Sequence, residues 1–195
     1  MIKLYFLRHG ETEANTRHAY LGTTDEPLND NGILQAMNCE MPDIKRVYTS
    51  PMLRCQQTAG IIFPNAERIA VDGFRECNFG DFECKNYNEL KDDEYYKEWM
   101  ASGGTKAFPN GESMLSFQAR CVDAFEKIID DEWNRKPKSL GFVVHGGTIM
   151  GLFHKFSHSD RSYLDWKVEN CRGFSAVILK SEWEHEKAFH SIEEI

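Results

Sequence analysis

Ile2-Lys3-Leu4-Tyr5-Phe6-Leu7-Arg8-His9-Gly10 is a mostly apolar run that stops at a guanidinium, an imidazole and a glycine. Such a run reads as a buried strand emptying into a loop. The pattern returns in Leu140-Gly141-Phe142-Val143-Val144 before His145-Gly146-Gly147, and in shorter form in Arg46-Val47-Tyr48-Thr49 before Ser50-Pro51. Ser50 reads as a helix N-cap and Pro51 as the first helical residue, so a helix is expected over 51–63 with Arg54 about one turn in. Apolar residues at 114, 117, 121, 125, 128, 129 and 133 mark one face of a helix over 112–133. Helices are also expected over 33–39, over 86–100, and after Gly147, where Ile149, Met150, Leu152, Phe153 and Phe156 form a stripe. Short strands are expected at 68–71, 174–179 and 188–192.

Strands alternating with helices predict an α/β fold, three layers deep, with a mainly parallel central sheet flanked by helices. In such sheets ligands collect beyond the carboxyl ends of the strands. Arg8, His9 and His145 stand there, with Arg54 just past a third strand. The polar stretch from Arg8 to Asn31 is long for a loop inside a compact domain, and loops of that kind are usually functional.

The chain has 195 residues, 41% hydrophobic and 28% charged, with no internal repeat and no linker, so one domain over 1–195 is expected. Residues 73–111 show no sustained period at first and then breaker-rich turns, and read as an insertion that could act as a lid over one end of the sheet. Net charge is 23 − 31 = −8. Neither nucleic acid nor an anionic membrane is an expected partner, and an anionic ligand has to meet a local cluster of cations. No apolar run approaches the ~18 residues of a membrane span, and Ile2–Leu7 is too short for a signal-peptide core, which reads as a cytoplasmic protein. The six cysteines contain no Cys-x-x-Cys pair, so reduced packing thiols are expected and a zinc ribbon is not. His154 and His158 lie four apart but lack a nearby third ligand, and no metal or other cofactor is expected. The acidic stretch from Glu182 to Glu194 reads as a solvated face.

Arginine offers a planar fork of donors that suits phosphate, imidazole can serve as nucleophile or base, and glycine allows close backbone approach. Arg8-His9-Gly10 alone is a weak signal. Three further motifs follow it in order at the other segment junctions: Ser50-Pro51-Met52-Leu53-Arg54, Arg75-Glu76-Cys77-Asn78-Phe79-Gly80-Asp81-Phe82-Glu83, and Val143-Val144-His145-Gly146-Gly147.

With these four motifs the sequence resembles the histidine phosphatase (phosphoglycerate mutase-like) superfamily from Leu4 to about Leu152. Gly22-Thr23-Thr24-Asp25-Glu26-Pro27-Leu28 and Phe79-Gly80-Asp81-Phe82-Glu83 are similar in wording to the small bacterial branch that includes alpha-ribazole phosphatase. Glycine normally follows that last glutamate, and Cys84 stands there instead. The resemblance implies a phosphoglycerate mutase-like fold and a phosphomonoesterase in which His9 becomes phosphohistidine. Arg8, Asn15, Arg54 and His145 would then hold the phosphoryl oxygens and Glu76 would be the proton donor, with Glu11, Asp81 and Glu83 the next acids to consider. Two arginines and a second imidazole suit the charge spread over a phosphoryl transition state. The substrate implied is a small-molecule phosphomonoester, with alpha-ribazole 5'-phosphate, phosphoserine, sugar phosphates and nucleotides as candidates. The alternatives are a phosphoglycerate mutase and a non-catalytic phosphoryl-binding module. Mutases carry a tyrosine where Phe79 stands and an adjacent arginine pair in the lid, which this chain lacks between Lys85 and Arg120. Tyr87, Tyr95, Tyr96 and Trp99 suit either an apolar leaving group or a core stripe. Oligomeric state is left open.

Overall fold

The computed structural model describes all residues, 1–195, and places β1 (Ile2–Arg8) inside a six-stranded sheet. The first half adds α1 (Glu13–Thr16), α2 (Asp30–Met37), β2 (Arg46–Thr49), α3 (Leu53–Ile62) and β3 (Glu67–Ala70). Two single 3-10 turns, Asp72–Phe74 and Gly80–Phe82, lead into α4 (Tyr87–Leu90), α5 (Glu94–Ala101) and α6 (Met114–Glu132). The chain closes with β4 (Ser139–Val144), α7 (Gly146–Phe156), a 3-10 turn (Tyr163–Trp166), β5 (Gly173–Ile178), α8 (Lys180–Glu186) and β6 (Ser191–Glu194).

The strand order is β3-β2-β4-β1-β5-β6. The four strands from β3 to β1 are parallel, β5 runs antiparallel to β1, and β6 runs antiparallel to β5. This is the α/β, mainly parallel sheet that the alternation of runs predicts. In register, Arg8 pairs with Val144 and Thr49 with Val143, so three parallel strands end at one level and deliver Arg8-His9, His145 and Ser50 side by side. Phe6, Phe142, Phe125 and Phe153 meet in the largest apolar cluster, with Phe6 and Phe142 stacked at 4.7 Å between ring centres. Burial of each such ring stabilises the fold by about 1.5–3 kcal/mol, and rigid strands beneath the loops fix where the loops begin.

The departures from the expected elements have local causes. The helix expected over 51–63 starts at Leu53 with Met52 as its N-cap, and the Ser50 hydroxyl both accepts from the Met52 N–H at 3.3 Å and lies 2.8 Å from His145 Nε2. The helix expected over 33–39 begins at Asp30, where the Asn29 side chain accepts from the Gly32 N–H at 2.7 Å. One helix expected over 86–100 is two, since Asp93 caps a fresh start by accepting from the Tyr96 N–H. The stretch read as loop to Asn31 contains α1, closed by a capping box between Thr12 and Asn15. The last strand lies at 191–194 and not 188–192, because Ala188 and Phe189 are buried in the approach to it, and within the acidic stretch Trp183 is fully buried.

Residues 77–108 pack against α6 through Cys77, Phe82, Leu90, Tyr96, Phe108, Phe117 and Cys121, a second cluster beside the sheet. Tyr96 and Trp99 belong to that cluster as a stacked pair, while Tyr87 and Tyr95 are exposed. All six cysteines are free thiols. No helix is long and apolar enough to cross a membrane.

Candidate active site

The ends of β1 and β4 bring the imidazoles of His9 and His145 to 5.2 Å between ring centres, nearly edge to face. Both are buried, at 4% and 0% exposure. His9 Nδ1 lies 2.7 Å from the Gly10 carbonyl, which can only accept, so Nδ1 carries the proton and Nε2 keeps a free lone pair. Burial first, then the neighbouring charges of Arg54 and Arg8, hold the His9 imidazole well below its ordinary pKa. A neutral ring with a bare Nε2 is what a nucleophile requires.

Burial and the same two guanidiniums also depress His145. Its Nε2 is 2.8 Å from Ser50 Oγ, and its Nδ1 has only the Cys55 sulfur at 3.9 Å. With the Ser50 hydroxyl donating to Nε2, Nδ1 carries the ring proton and can donate to an incoming oxygen. Burial pushes the Cys55 thiol up to about 12, which leaves it inert beneath the ring.

Arg54, on the first turn of α3, is 0% exposed. Its Nη atoms donate to the carbonyls of Thr24 and Gly22 at 3.0 Å and of Leu21 at 3.4 Å, and its Nε has no partner. An orphaned donor at zero exposure is costly unless something anionic or polar arrives to accept from it. Arg8 commits one donor to the Val168 carbonyl at 2.9 Å. The arginines that form ion pairs are Arg46, Arg75, Arg120 and Arg135, so neither guanidinium of the site is neutralised by contact with a carboxylate. In a chain of net charge −8 this is the local cationic cluster that an anionic ligand needs.

Glu76 sits across from these cations. It accepts from the Cys77 N–H at 2.9 Å and from the backbone of Gly147, yet burial outweighs those bonds and the charges of Arg54 and Arg8, so its pKa is raised. A carboxyl that holds its proton longer than usual can act as an acid. A Cβ on Gly147 would stand 2.7 Å from Glu76 Oε1 and 2.9 Å from the Phe117 ring, so any larger residue there has to displace the carboxyl or the ring. The other acids named from the sequence are engaged elsewhere. Glu11 accepts from Asn29 and Asn31, Asp81 from Asn110, and Glu83 from the backbone N–H groups of Gly22, Thr23 and Thr24.

Asn15 enters from α1. Its Oδ1 accepts from the Thr12 N–H and from Asn170 Nδ2, both at 3.2 Å, which leaves its own NH2 free to donate. Asn170 also donates to the His9 carbonyl at 2.8 Å. All six residues named from the sequence thus converge. Ser50, Asn170 and Tyr163, whose hydroxyl donates to the Gly147 carbonyl at 3.4 Å, were not legible as site residues. Serine before proline signals a cap, and an isolated Asn or Tyr in a turn-rich stretch signals nothing.

Known proteins resemble this chain over most of its length. The family model described as the histidine phosphatase superfamily (branch 1) matches residues 4–188. A broad-specificity phosphatase of Saccharomyces cerevisiae is 26% identical over 93% of this chain and 77% of its own length. Phosphoglycerate mutase-like protein 4 of Arabidopsis thaliana is 30% identical over 91% of this chain and 79% of its own. The crystal structure of the alpha-ribazole phosphatase from Shigella flexneri superposes with a TM-score of 0.78 at 25% identity, covering 92% of each chain.

Proposed function

The chain belongs to the histidine phosphatase superfamily, branch 1, and from that premise we propose that it hydrolyses a small phosphomonoester through a phosphohistidine on His9. The observation that carries this reading is a neutral His9 with Nδ1 locked on Gly10 and Nε2 bare, flanked by two guanidiniums that contact no carboxylate. The Nε2 lone pair attacks phosphorus as the bond to the leaving oxygen breaks. Arg8, Arg54, Asn15 and His145 donate to the three equatorial oxygens, where charge accumulates. Glu76 gives its proton to the departing oxygen. Its carboxylate then takes a proton from the water that attacks the phosphohistidine, which releases phosphate and restores both groups. The segment 73–111 acts as the cover that carries this acid.

A phosphatase fits better than a mutase, because Phe79 stands where mutases carry tyrosine and no arginine pair follows it to grip a substrate carboxylate. Among substrates, alpha-ribazole 5'-phosphate is the first to test, on the wording of residues 22–28 and 79–83 and on the likeness to the Shigella flexneri alpha-ribazole phosphatase.

The test is rapid quench with a radioactive phosphate donor. Wild type should show acid-unstable label that chases with water, and His9→Ala should show neither label nor turnover. Label on a serine or cysteine overturns the assignment, and label that passes between the 2- and 3-positions of phosphoglycerate faster than to water makes the enzyme a mutase.

A further inference from the structure

Glu76 lies in the middle of a loop without regular structure, and a proton donor that wanders by 1 Å can cost about 10²-fold in rate. Besides buried Phe74 and Cys77 on either side of the acid, one ion pair grips the loop backbone. Arg120, one face of α6 away, donates through Nη1 to the carbonyls of Gly73 at 3.0 Å and Arg75 at 2.7 Å, and through Nη2 to the carbonyl of Glu76 itself at 2.9 Å. Its Nη2 and Nε also meet the two carboxylate oxygens of Glu112 at 2.6 and 3.2 Å. Glu112 Oε1 in turn accepts from the Asn78 N–H at 2.9 Å, and the Glu112 N–H donates to the Asn78 carbonyl at 3.0 Å. The loop is therefore gripped at 73, 75, 76 and 78, on both sides of the acid.

The same guanidinium lies over the Phe117 ring, 5.0 Å from its centre. A Cβ on Gly147 would stand 2.9 Å from that ring and 2.7 Å from Glu76 Oε1. Ring, glycine and carboxyl thus form one stack, with Arg120 fixing the backbone of the loop at one end and the ring at the other. Arg120 and Glu112 are partly buried, with side-chain exposures of 30% and 20%. A pair with bidentate geometry and this burial holds its position far better than a surface ion pair.

We infer that the Arg120–Glu112 pair is the positioning device for the acid step, setting where the Glu76 carboxyl meets the leaving oxygen. The inference rests on the reading of Glu76 as the proton donor. It separates this pair from an ordinary packing contact, which would affect every substrate alike.

The test is a double-mutant cycle on the rate of phosphoenzyme formation, measured in single turnover with an alkyl phosphate and with 4-nitrophenyl phosphate. An alkoxide leaves poorly and needs the proton, whereas nitrophenolate hardly does. Glu76→Gln should slow the alkyl ester by ~10²- to 10⁴-fold and the aryl ester far less. Arg120→Met should reproduce that selectivity at roughly 10- to 100-fold on the alkyl ester, and in the Glu76→Gln background it should cost almost nothing more. An equal loss on both esters, or a full additional loss on top of Glu76→Gln, overturns the positioning role while leaving the acid in place. If Glu76→Gln itself treats the two esters alike, the acid reading fails first and this inference with it. Should Arg120→Met not fold, Glu112→Gln keeps the three carbonyl bonds of Arg120, weakens only the pair, and should show the same ester selectivity at roughly 3- to 10-fold.

Discussion

Arg54 has five N–H donors, and the loop carbonyls of Leu21, Gly22 and Thr24 occupy its Nη atoms while Nε stays empty. On the proposed reading the side chain both holds the loop and meets the substrate, and only a planar fork can do both. Arg54→Lys keeps the charge but loses the fork. The expected cost is on the order of 2–4 kcal/mol in the transition state, or roughly 30- to 1,000-fold in kcat/KM. Wild-type kcat/KM in the lysine variant would place Arg54 outside the phosphate pocket. Ser50 contributes more simply, since the bond to its hydroxyl engages His145 Nε2 and leaves Nδ1 with only the Cys55 sulfur at 3.9 Å. Arg8, His9, Arg54 and His145 were legible because each follows an apolar strand or opens a helix. Ser50 was not, since Ser-Pro at that position satisfies the rule for a helix start equally well, and only the burial of both groups directs the hydroxyl to the imidazole.

Among the elements, those with a strong apolar period were legible nearly to the residue, as in β2 at Arg46–Thr49 and α6 at Met114–Glu132. Elements fixed by polar side chains bonding to backbone were not, because those bonds have no period. Residues 20–28 are an example. The Glu83 carboxylate accepts from the N–H groups of Gly22 at 3.1 Å, Thr23 at 2.9 Å and Thr24 at 3.4 Å, and from the Thr24 hydroxyl at 3.0 Å. Gly22 permits this approach, since a Cβ there would stand 1.9 Å from the Cys77 carbonyl. The carbonyls of the same segment hold Arg54, so Glu83 bears on that guanidinium through the loop. Cys84, where glycine is usual in the resembling sequences, takes the left-handed φ of 60° that a glycine would take at no cost. Glu83→Ala should cost about 1.5–3 kcal/mol of stability, the range for hydrogen bonds to a charged group. It should also weaken inhibition by orthophosphate about tenfold, or about 1.4 kcal/mol. Unchanged phosphate inhibition in a folded variant would show that loop and pocket are independent.

For the whole molecule, a pocket that collects buried His9 and His145 with a half-buried Glu76 makes stability depend on pH in two opposite directions. His9 and His145 have folded pKa values below the ordinary 6.5, so the folded state resists protonation. Their contribution is intact above about pH 6.5 and is lost as the pH falls below it, because the unfolded chain binds those protons first. Glu76 has the reverse sign. Its folded pKa is above the ordinary 4.5, so its burial is harmless while it is protonated and becomes a cost as the pH rises through the folded value. The acid is thus maintained at the expense of stability at neutral pH. Glu76→Gln keeps the acceptor oxygen for the Cys77 and Gly147 N–H groups but can carry no charge. Its Tm should exceed that of wild type at pH 8, and the gap should close toward pH 4, where the wild-type carboxyl is protonated as well. Thermal unfolding of both proteins across that range checks it. A gap that stays constant with pH would mean that Glu76 titrates alike in the folded and unfolded chain, and the assignment of a raised pKa to burial would fall.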